Sequence, residues 1–208
     1  SVSRPLVVGY VSPDMYTHSV SYFALAPLSH HDRHRVKCVV YSATPVEDAR
    51  TKLLRQRVAA GGGEWRDVAG LSERALGELI QLDGVDILVD LTGHTANNRL
   101  ATLALRPAPV QVTWMGYPNT TGLGAVDYRI TDALCDPVST RQVFAETNVR
   151  LPGCFLSYTP HPEAPPVVQA PCLHQGYVTF GCFNALAKIT GSVRVLWGKV
   201  MREVPTSR

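Results

Sequence analysis

An aspartate and a histidine four positions apart, Asp14 and His18, follow the short apolar run LVVGYV at residues 6–11. Imidazole exchanges protons near neutral pH and a nearby carboxylate can orient or charge it, so the pair could form an acid/base site. The same spacing fits a structural role, in which Asp14 caps the turn and His18 begins a helix, because aspartate is common at helix starts. Spacing alone favours the structural interpretation.

Three further segments place polar residues directly after apolar runs. His94 lies in TGHTANN, as either a ligand contact or a turn residue that tolerates a left-handed backbone. The segment GYPNTTG (116–122) offers backbone N–H groups and the hydroxyls of Thr120 and Thr121 to a sugar or phosphate, although its glycine, proline and asparagine also form ordinary turns. Lys188, in FNALAKIT, could bind a diphosphate together with helix N-terminal amides, or lie at the solvated surface.

Apolar, β-branched runs alternate with helical patterns along most of the chain. Helical segments of about 10–15 residues between strands are typical of βαβ crossovers, so we predict an α/β fold with a Rossmann-like parallel sheet. Ligands of such sheets bind at the carboxyl ends of the strands, where all four polar segments would lie. The predicted strands are 6–11, 36–42, 64–68, 85–91, 110–116 and 127–131; the predicted helices are 46–60, 72–84, 98–104 and one from 18 that bends or ends at Pro27.

A proline-rich stretch divides the sequence. YTPHPEAPPVVQAPC contains five prolines and no periodicity, which predicts a stiff linker over 158–176. Residues 1–157 before it would form one Rossmann-like domain. After it, 177–183 predicts a strand, followed by a turn and a helix over 191–203. We therefore expect 177–208 to be the first β–loop–α unit of a second domain.

Composition excludes several classes of function. The chain is 45% hydrophobic and 18% charged, with a formal charge of +3. This weak charge gives no basic surface for nucleic acid, and no apolar run is long enough to span a membrane. Five scattered cysteines without a C-x-x-C pattern favour reduced thiols, and hence the cytoplasm or nucleus. The histidines of HHDRH (30–34) have no second cluster to complete a metal site, so we expect no metal and no cofactor.

Five ordered blocks resemble the catalytic region of the SPINDLY branch of the nucleocytoplasmic O-linked N-acetylglucosamine transferase family. They are VVGYVSPDMYTHSVSYF, DILVDLTGHTANNRL, RPAPVQVTWMGYPNTTGL, DYRITD and VTFGCFNALAKIT. The resemblance implies an inverting glycosyltransferase with tetratricopeptide repeats and two Rossmann-like halves that face each other across a cleft. Residues 1–157 would be the N-terminal half, and 177–208 the start of the nucleotide-binding half. This piece alone is expected to be inactive.

The resemblance also implies roles for individual residues. His18 matches a histidine proposed as the catalytic base, and Asp14 matches an aspartate proposed to relay protons, so both are candidates. Lys188 matches the lysine that binds the donor diphosphate. The expected sugar- or acceptor-binding residues are Met115, Gly116, Tyr117, Pro118, Thr120, Thr121 and His94. Asn184 and Ala185 are expected beside the nucleotide, together with Lys188.

Two departures from the family pattern bear on the donor. The chain has THSVSY and GYPNTTG, where N-acetylglucosamine transferases of the family tend to have NHPTSH and GYPGTSG. Both departures are shared with SPINDLY proteins, which implies transfer of fucose from GDP-fucose to Ser/Thr hydroxyls of nuclear and cytosolic proteins. Transfer from UDP-N-acetylglucosamine is the alternative, and a non-catalytic regulatory fragment is a second. Expected partners are the nucleotide-sugar donor, protein acceptors and a second copy of the parent protein, joined through its repeats.

Overall fold

A parallel sheet forms the first part of the protein in the computed structural model, which describes residues 4–161 and 163–208. Its strands lie in the order β3–β2–β1–β4–β5–β6–β7, and every neighbouring pair is parallel. The predicted Rossmann-like α/β fold is confirmed. The strands are β1 (Leu6–Ser12), β2 (Val36–Ser42), β3 (Glu64–Asp67), β4 (Ile87–Asp90), β5 (Val110–Trp114), β6 (Tyr128–Asp132) and β7 (Thr147–Leu151).

The order of the strands reverses at β1. β2 and β3 extend to one side of β1, and β4 to β7 extend to the other. The loops that leave β1 and β4 therefore part from each other at the carboxyl edge of the sheet, and open α/β sheets bind ligands in the crevice that this creates. Asp14 and His18 follow β1, and His94 follows β4, so the sheet topology brings these candidates to one edge.

Two apolar clusters, one on each face of the sheet, form the core. Residues of α1 (Ser19–Ser29) and α2 (Ala49–Ala60) belong to the first cluster, and those of α3 (Glu73–Leu82) and α4 (Leu100–Ala104) to the second. Burial on both faces explains why the strands are almost continuously apolar. No helix of the described residues is long and apolar enough to cross a membrane.

The helix predictions are confirmed, with corrections at their ends. α2 begins at Ala49, three residues later than predicted, because Asp48 is its N-cap and accepts a hydrogen bond from Thr51 N at 2.9 Å. Pro27 lies inside α1 and does not end it. Proline lacks the N–H that would bond the carbonyl four residues earlier, and that carbonyl, of Phe23, accepts instead from Ser157 Oγ at 2.8 Å.

The strand predictions omit one strand and include one that does not form. β7 is absent from the predicted set because all of its residues are exposed or half-buried and its segment TNVRL contains no apolar run. Conversely, the strand predicted over 177–183 is not formed. Within 163–208 no strand lies beside it, and its Val178 and Phe180 exchange backbone hydrogen bonds with Arg208 instead. An apolar, β-branched segment without a partner cannot form a ladder.

The chain divides into two compact units, Ser1–Pro160 and His161–Arg208. Residues 1–3 of the predicted first domain, and residue 162 of the predicted linker, lie outside the described residues. The second unit contains the short helix α5 (Cys172–Gln175) within the predicted linker, a 3-10 turn (Leu186–Lys188) and α6 (Gly191–Glu203). The helix predicted over 191–203 is confirmed.

Candidate active site

Asp14, in the loop after β1, is a buried carboxylate with no hydrogen-bond donor among residues 4–161 and 163–208. Only 8% of its surface is exposed, and its nearest charged partner is His18, whose Nδ1 lies 3.8 Å from Asp14 Oδ2. Burial raises the pKa of the Asp14 carboxyl, and the proximity of His18 lowers it by less. Neither carboxylate oxygen is among the fully buried side-chain atoms that lack a partner, so the oxygens stay open to solvent, and carboxylates with shifted pKa values concentrate at functional sites.

The backbone around Asp14 is held by side chains of the surrounding loops. Ser12 Oγ, at the end of β1, accepts from Asp14 N at 3.0 Å. Asp48, the N-cap of α2, uses its second carboxylate oxygen to accept from Thr17 N at 2.8 Å. The start of α2 is thus tied to the residue before His18, and the loop that carries both candidates has a fixed course.

His18 is the N-cap of α1, so the structural alternative that the sequence left open applies to the histidine rather than to Asp14. Its backbone is extended, and its Nδ1 accepts from Val20 N at 3.3 Å. A ring nitrogen that accepts carries no proton, so neutral His18 holds its proton on Nε2. The His18 side chain therefore caps α1 and also lies close to Asp14.

Asp90, the last residue of β4, anchors the turn that carries His94. Its carboxylate accepts from Thr92 N at 3.1 Å, Gly93 N at 2.8 Å and Thr113 Oγ1 at 3.0 Å. Burial nevertheless raises its pKa to about 6, because these hydrogen bonds offset only part of the desolvation. Sequence reasoning missed Asp90; an acidic residue at the end of an otherwise apolar strand was the available signal.

His94 contacts the loop after β5, as the sequence predicted for a shared edge. Its Nε2 lies 2.8 Å from the carbonyl oxygen of Thr121, and because a carbonyl only accepts, Nε2 carries the proton. Its ring stands edge-on to Tyr117, with centroids 5.3 Å apart. In neutral His94, Nδ1 is then an acceptor, and no described residue donates to it. The turn interpretation also holds, with the left-handed backbone at Gly93 (φ +58°) rather than at His94.

Close backbone packing shapes the loop that contains Met115, Gly116, Tyr117 and Pro118. A Cβ on Gly116 would lie 1.8 Å from the carbonyl oxygen of Leu91, so only glycine lets this loop pass the end of β4. Met115 adopts a left-handed backbone at φ +58°, which is uncommon for a residue with a side chain. The loop is fixed at Pro118, whose carbonyl accepts from Arg129 Nη2 at 2.9 Å.

Thr120 and Thr121 direct their hydroxyls at Glu146, which lies just before β7. Thr120 Oγ1 donates to Glu146 Oε2 at 2.7 Å, and both the backbone N–H (2.7 Å) and the hydroxyl of Thr121 donate to Oε1. Burial alone would raise the pKa of Glu146, but these hydrogen bonds outweigh it and lower the pKa. Both hydroxyls are thus engaged within the protein, and their contact with a ligand stays a prediction. Sequence reasoning missed Glu146.

The loops after β1 and β4 are joined by a hydrogen bond between hydroxyls. Thr92 Oγ1, beside the turn that carries His94, donates to Ser12 Oγ at 3.4 Å. Ser12 Oγ also holds the backbone of Asp14. The structure therefore links the Asp14 loop to the His94 turn at the crevice, and His94 in turn contacts Tyr117 and Thr121 on the loop after β5.

In the second unit, Asn184, Ala185 and Lys188 are exposed on the turn before α6. The N-cap of α6 is Thr190, whose Oγ1 accepts from Val193 N at 3.4 Å. A lysine beside a helix N-terminus suits an anionic ligand such as a diphosphate. Across the described parts of both units, no cluster of three or more histidine, cysteine or acidic side chains could hold a metal ion.

Comparison with known proteins places this geometry in a family. Residues 2–160 match the model of glycosyl transferase family 41. The chain is 58% identical over 99% of its length to an Arabidopsis thaliana protein named probable UDP-N-acetylglucosamine–peptide N-acetylglucosaminyltransferase SPINDLY. It is 30% identical over 98% of its length to a second Arabidopsis thaliana protein with the same enzyme name, SEC.

A solved structure of a Thermobaculum terrenum O-GlcNAc transferase mutant superimposes on 99% of the chain, with a TM-score of 0.87 and 41% identity. The chain covers 38% of that structure, and 22% and 21% of the two Arabidopsis thaliana proteins. It thus spans about a fifth of the length of the curated relatives that it matches.

Proposed function

Because the chain belongs to glycosyl transferase family 41, we propose that it forms the acceptor side of the catalytic region of a protein glycosyltransferase. The whole enzyme would transfer a sugar from a nucleoside diphosphate to Ser or Thr hydroxyls of other proteins. The observation that carries the proposal is Asp14, a largely buried side chain whose carboxylate accepts from no donor of the described residues and lies 3.8 Å from His18. It lies at the reversal of strand order, where α/β sheets bind ligands.

In the proposed reaction, the acceptor hydroxyl loses its proton, its oxygen bonds to the anomeric carbon with inversion, and the nucleoside diphosphate leaves. We assign the proton to Asp14, because its carboxylate has no donor within the described residues. Its raised pKa also makes it a stronger base than an ordinary aspartate. His18 Nδ1 already accepts from Val20, so His18 would present Nε2–H as a donor that orients the acceptor or the sugar.

We assign the donor diphosphate to Lys188 and the N-terminal amides of α6, with Asn184 and Ala185 beside the nucleotide. An ammonium beside the leaving group stabilises the negative charge that develops there. Lys188→Ala in the full-length protein should weaken GDP binding at least tenfold, measured by calorimetry. Lys199→Ala, which removes another exposed lysine, on α6, is the matched control. Equal affinity of the two variants would remove this role.

We propose fucose, from GDP-fucose, as the transferred sugar. Support comes from THSVSY and GYPNTTG, the two departures from the pattern of the N-acetylglucosamine transferases. The second candidate is N-acetylglucosamine from the UDP sugar, which the names of the Arabidopsis thaliana relatives favour. We further propose that acceptors are nuclear and cytosolic proteins and that transfer needs no metal, so that it would persist in excess chelator.

Parallel transfer assays test the proposal. The full-length protein would be offered GDP-fucose and UDP-N-acetylglucosamine in separate reactions with a Ser/Thr-rich acceptor, and products would be weighed by mass spectrometry. Transfer from GDP-fucose alone is expected. Transfer from the UDP sugar alone would contradict the fucose assignment and leave the glycosyltransferase proposal standing. Transfer from neither donor would overturn both and favour a regulatory role.

A further inference from the structure

Thr44, on the segment that follows β2, holds the backbone on both sides of Asp14 with one hydroxyl. We propose that Thr44 is a positioning residue for Asp14, an inference that rests on the proposed function and deepens it. The Oγ1 atom of Thr44 donates to the carbonyl oxygen of Pro13 at 2.9 Å and accepts from Met15 N at 3.0 Å. The peptide groups immediately before and after Asp14 therefore share a single partner.

This contact completes a set of bonds around one residue. The N–H of Asp14 itself is bonded to Ser12 Oγ at 3.0 Å, so Pro13 O, Asp14 N and Met15 N all have side-chain partners. Thr44 is 8% exposed, and Met15 beside it is fully buried in the core. The main chain at Asp14 is thus fixed from the neighbouring strand as well as from its own.

The position of Thr44 follows from strand register. β1 and β2 are paired in parallel, with Ser12 opposite Ser42, and Ala43 N extends the ladder by donating to Ser12 O at 2.9 Å. Thr44, one residue further on, then faces the first turn of the loop after β1. A threonine there supplies a hydroxyl that donates and accepts at once.

The carboxylate of Asp14 depends on this backbone support more than most buried acids do. No donor of the described residues holds its oxygens, so its place is set by the backbone and by packing alone. A shift of about 1 Å in a reacting group can cost on the order of a hundredfold in rate. Loss of the Thr44 hydroxyl should therefore reduce turnover, whereas the donor site on other elements should be unaffected.

A control variant at a second buried threonine distinguishes a positioning role from a general effect on stability. Thr102, in α4, is also buried, and its Oγ1 bonds to Glu73 Oε2 at 2.6 Å on the α3 side of the sheet. Thr102→Val removes a buried hydroxyl that does not contact the Asp14 loop. It should lower the melting temperature at least as much as Thr44→Val does, without lowering turnover.

The experiment compares Thr44→Val, Thr44→Ser and Thr102→Val in the full-length transferase, with the donor that the wild-type protein uses. Thr44→Val should lower kcat about tenfold to a hundredfold at an unchanged KM for the donor, and Thr44→Ser should restore kcat to within threefold of wild type. Hydrogen exchange at the amide of Met15 should become faster in Thr44→Val and remain slow in the other two variants.

Two results would overturn the inference while the proposed function stands: a wild-type kcat in Thr44→Val, or equal losses of kcat in Thr44→Val and Thr102→Val. Failure of Thr44→Ser to recover activity would also count against it, because serine keeps the hydroxyl. A wild-type protein that transfers no sugar from either donor is a different failure. It would overturn the proposed function, and the positioning role with it.

Discussion

Asp14, which follows β1, and Glu146, which precedes β7, are two buried carboxylates of the first unit, with 8% and 5% of their surfaces exposed. Glu146 accepts from two hydroxyls and one backbone N–H of Thr120 and Thr121. Asp14 accepts from no donor within the described residues. Their pKa values move in opposite directions, raised for Asp14 and lowered for Glu146.

The difference shows that burial alone does not identify a reactive acid. Hydrogen bonds to a carboxylate stabilise its charged form and tie it to the structure, so Glu146 holds a loop in place. A carboxylate with no donor stabilises nothing and is free to accept a proton from a substrate. Asp90 lies between these cases, because its three hydrogen bonds are outweighed by complete burial and its pKa rises to about 6.

The largest effect should come from Asp14→Asn, which removes the proposed base and keeps its shape. Transfer should fall by about a hundredfold to ten-thousandfold, the usual contribution of a positioned acid or base. Stability should be unchanged or higher, because a desolvated charge without donors is lost. Single-turnover transfer and the melting temperature measure the two effects. Unchanged transfer would show that Asp14 is as structural as Glu146.

The loop that Glu146 holds should be broken most severely by Gly116→Ala. The added Cβ would lie 1.8 Å from the backbone oxygen of Leu91, so β4 or the loop must move, and we expect a loss of about 4 kcal/mol or more in unfolding free energy. Gly124→Ala is the control, because nothing lies within 4 Å of its added Cβ. Urea unfolding of both variants would test this, and equal midpoints would contradict the packing described here.

Glu146→Gln should have a smaller effect, and on stability rather than on transfer. An amide cannot accept at both of its terminal atoms, so one donor of the Thr120–Thr121 pair loses its partner at a cost of about 1–3 kcal/mol. Transfer should fall less than tenfold. Glu78→Gln, at an exposed helical pair with Arg74, should change stability by less than about 0.5 kcal/mol. A loss of transfer as deep as that of Asp14→Asn would erase the contrast between the two acids.

The two acids Asp90 and Glu146 should also give opposite dependences of stability on pH. The raised pKa of Asp90 means that its contribution to stability declines as pH rises from 3.8 to about 6. The lowered pKa of Glu146 means that its contribution is complete above pH 4.5 and is lost as pH falls below that value. Unfolding free energies of wild type, Asp90→Asn and Glu146→Gln from pH 3 to 7 would show each trend disappear in its own variant. Parallel curves would contradict both shifts.

The sequence predicted those parts of the fold whose signal is local. Apolar runs marked β1, β2, β4 and β5, and Ser72 marked the start of α3, where its Oγ accepts from Ala75 N. β7 was not predicted, because its segment TNVRL alternates between exposed and half-buried residues and contains no apolar run. The strand predicted over 177–183 was wrong for the opposite reason: its pattern is that of a strand, but within residues 163–208 no strand pairs with it.

The residues of the candidate site divide in the same way, into those with a local sequence signal and those without one. Asp14, His18 and His94 stood out because polar residues directly after apolar strands lie at one edge of a parallel sheet. Thr44, which holds the backbone beside Asp14, and Glu146, which holds Thr120 and Thr121, did not stand out, because their contacts join segments more than 20 residues apart. Composition cannot show which carboxylate has donors and which has none, and that distinction required the structure.

Titration of side-chain carboxyls by carbon-detected NMR tests the central contrast most directly. Asp14 should titrate above the ordinary aspartate value of 3.8, and Glu146 below the ordinary glutamate value of 4.5. In His18→Ala the pKa of Asp14 should rise further, because the nearby imidazole that lowers it is gone. An Asp14 pKa at or below 3.8 would mean that its charged form is well stabilised, and would contradict its assignment as the free carboxylate of the site.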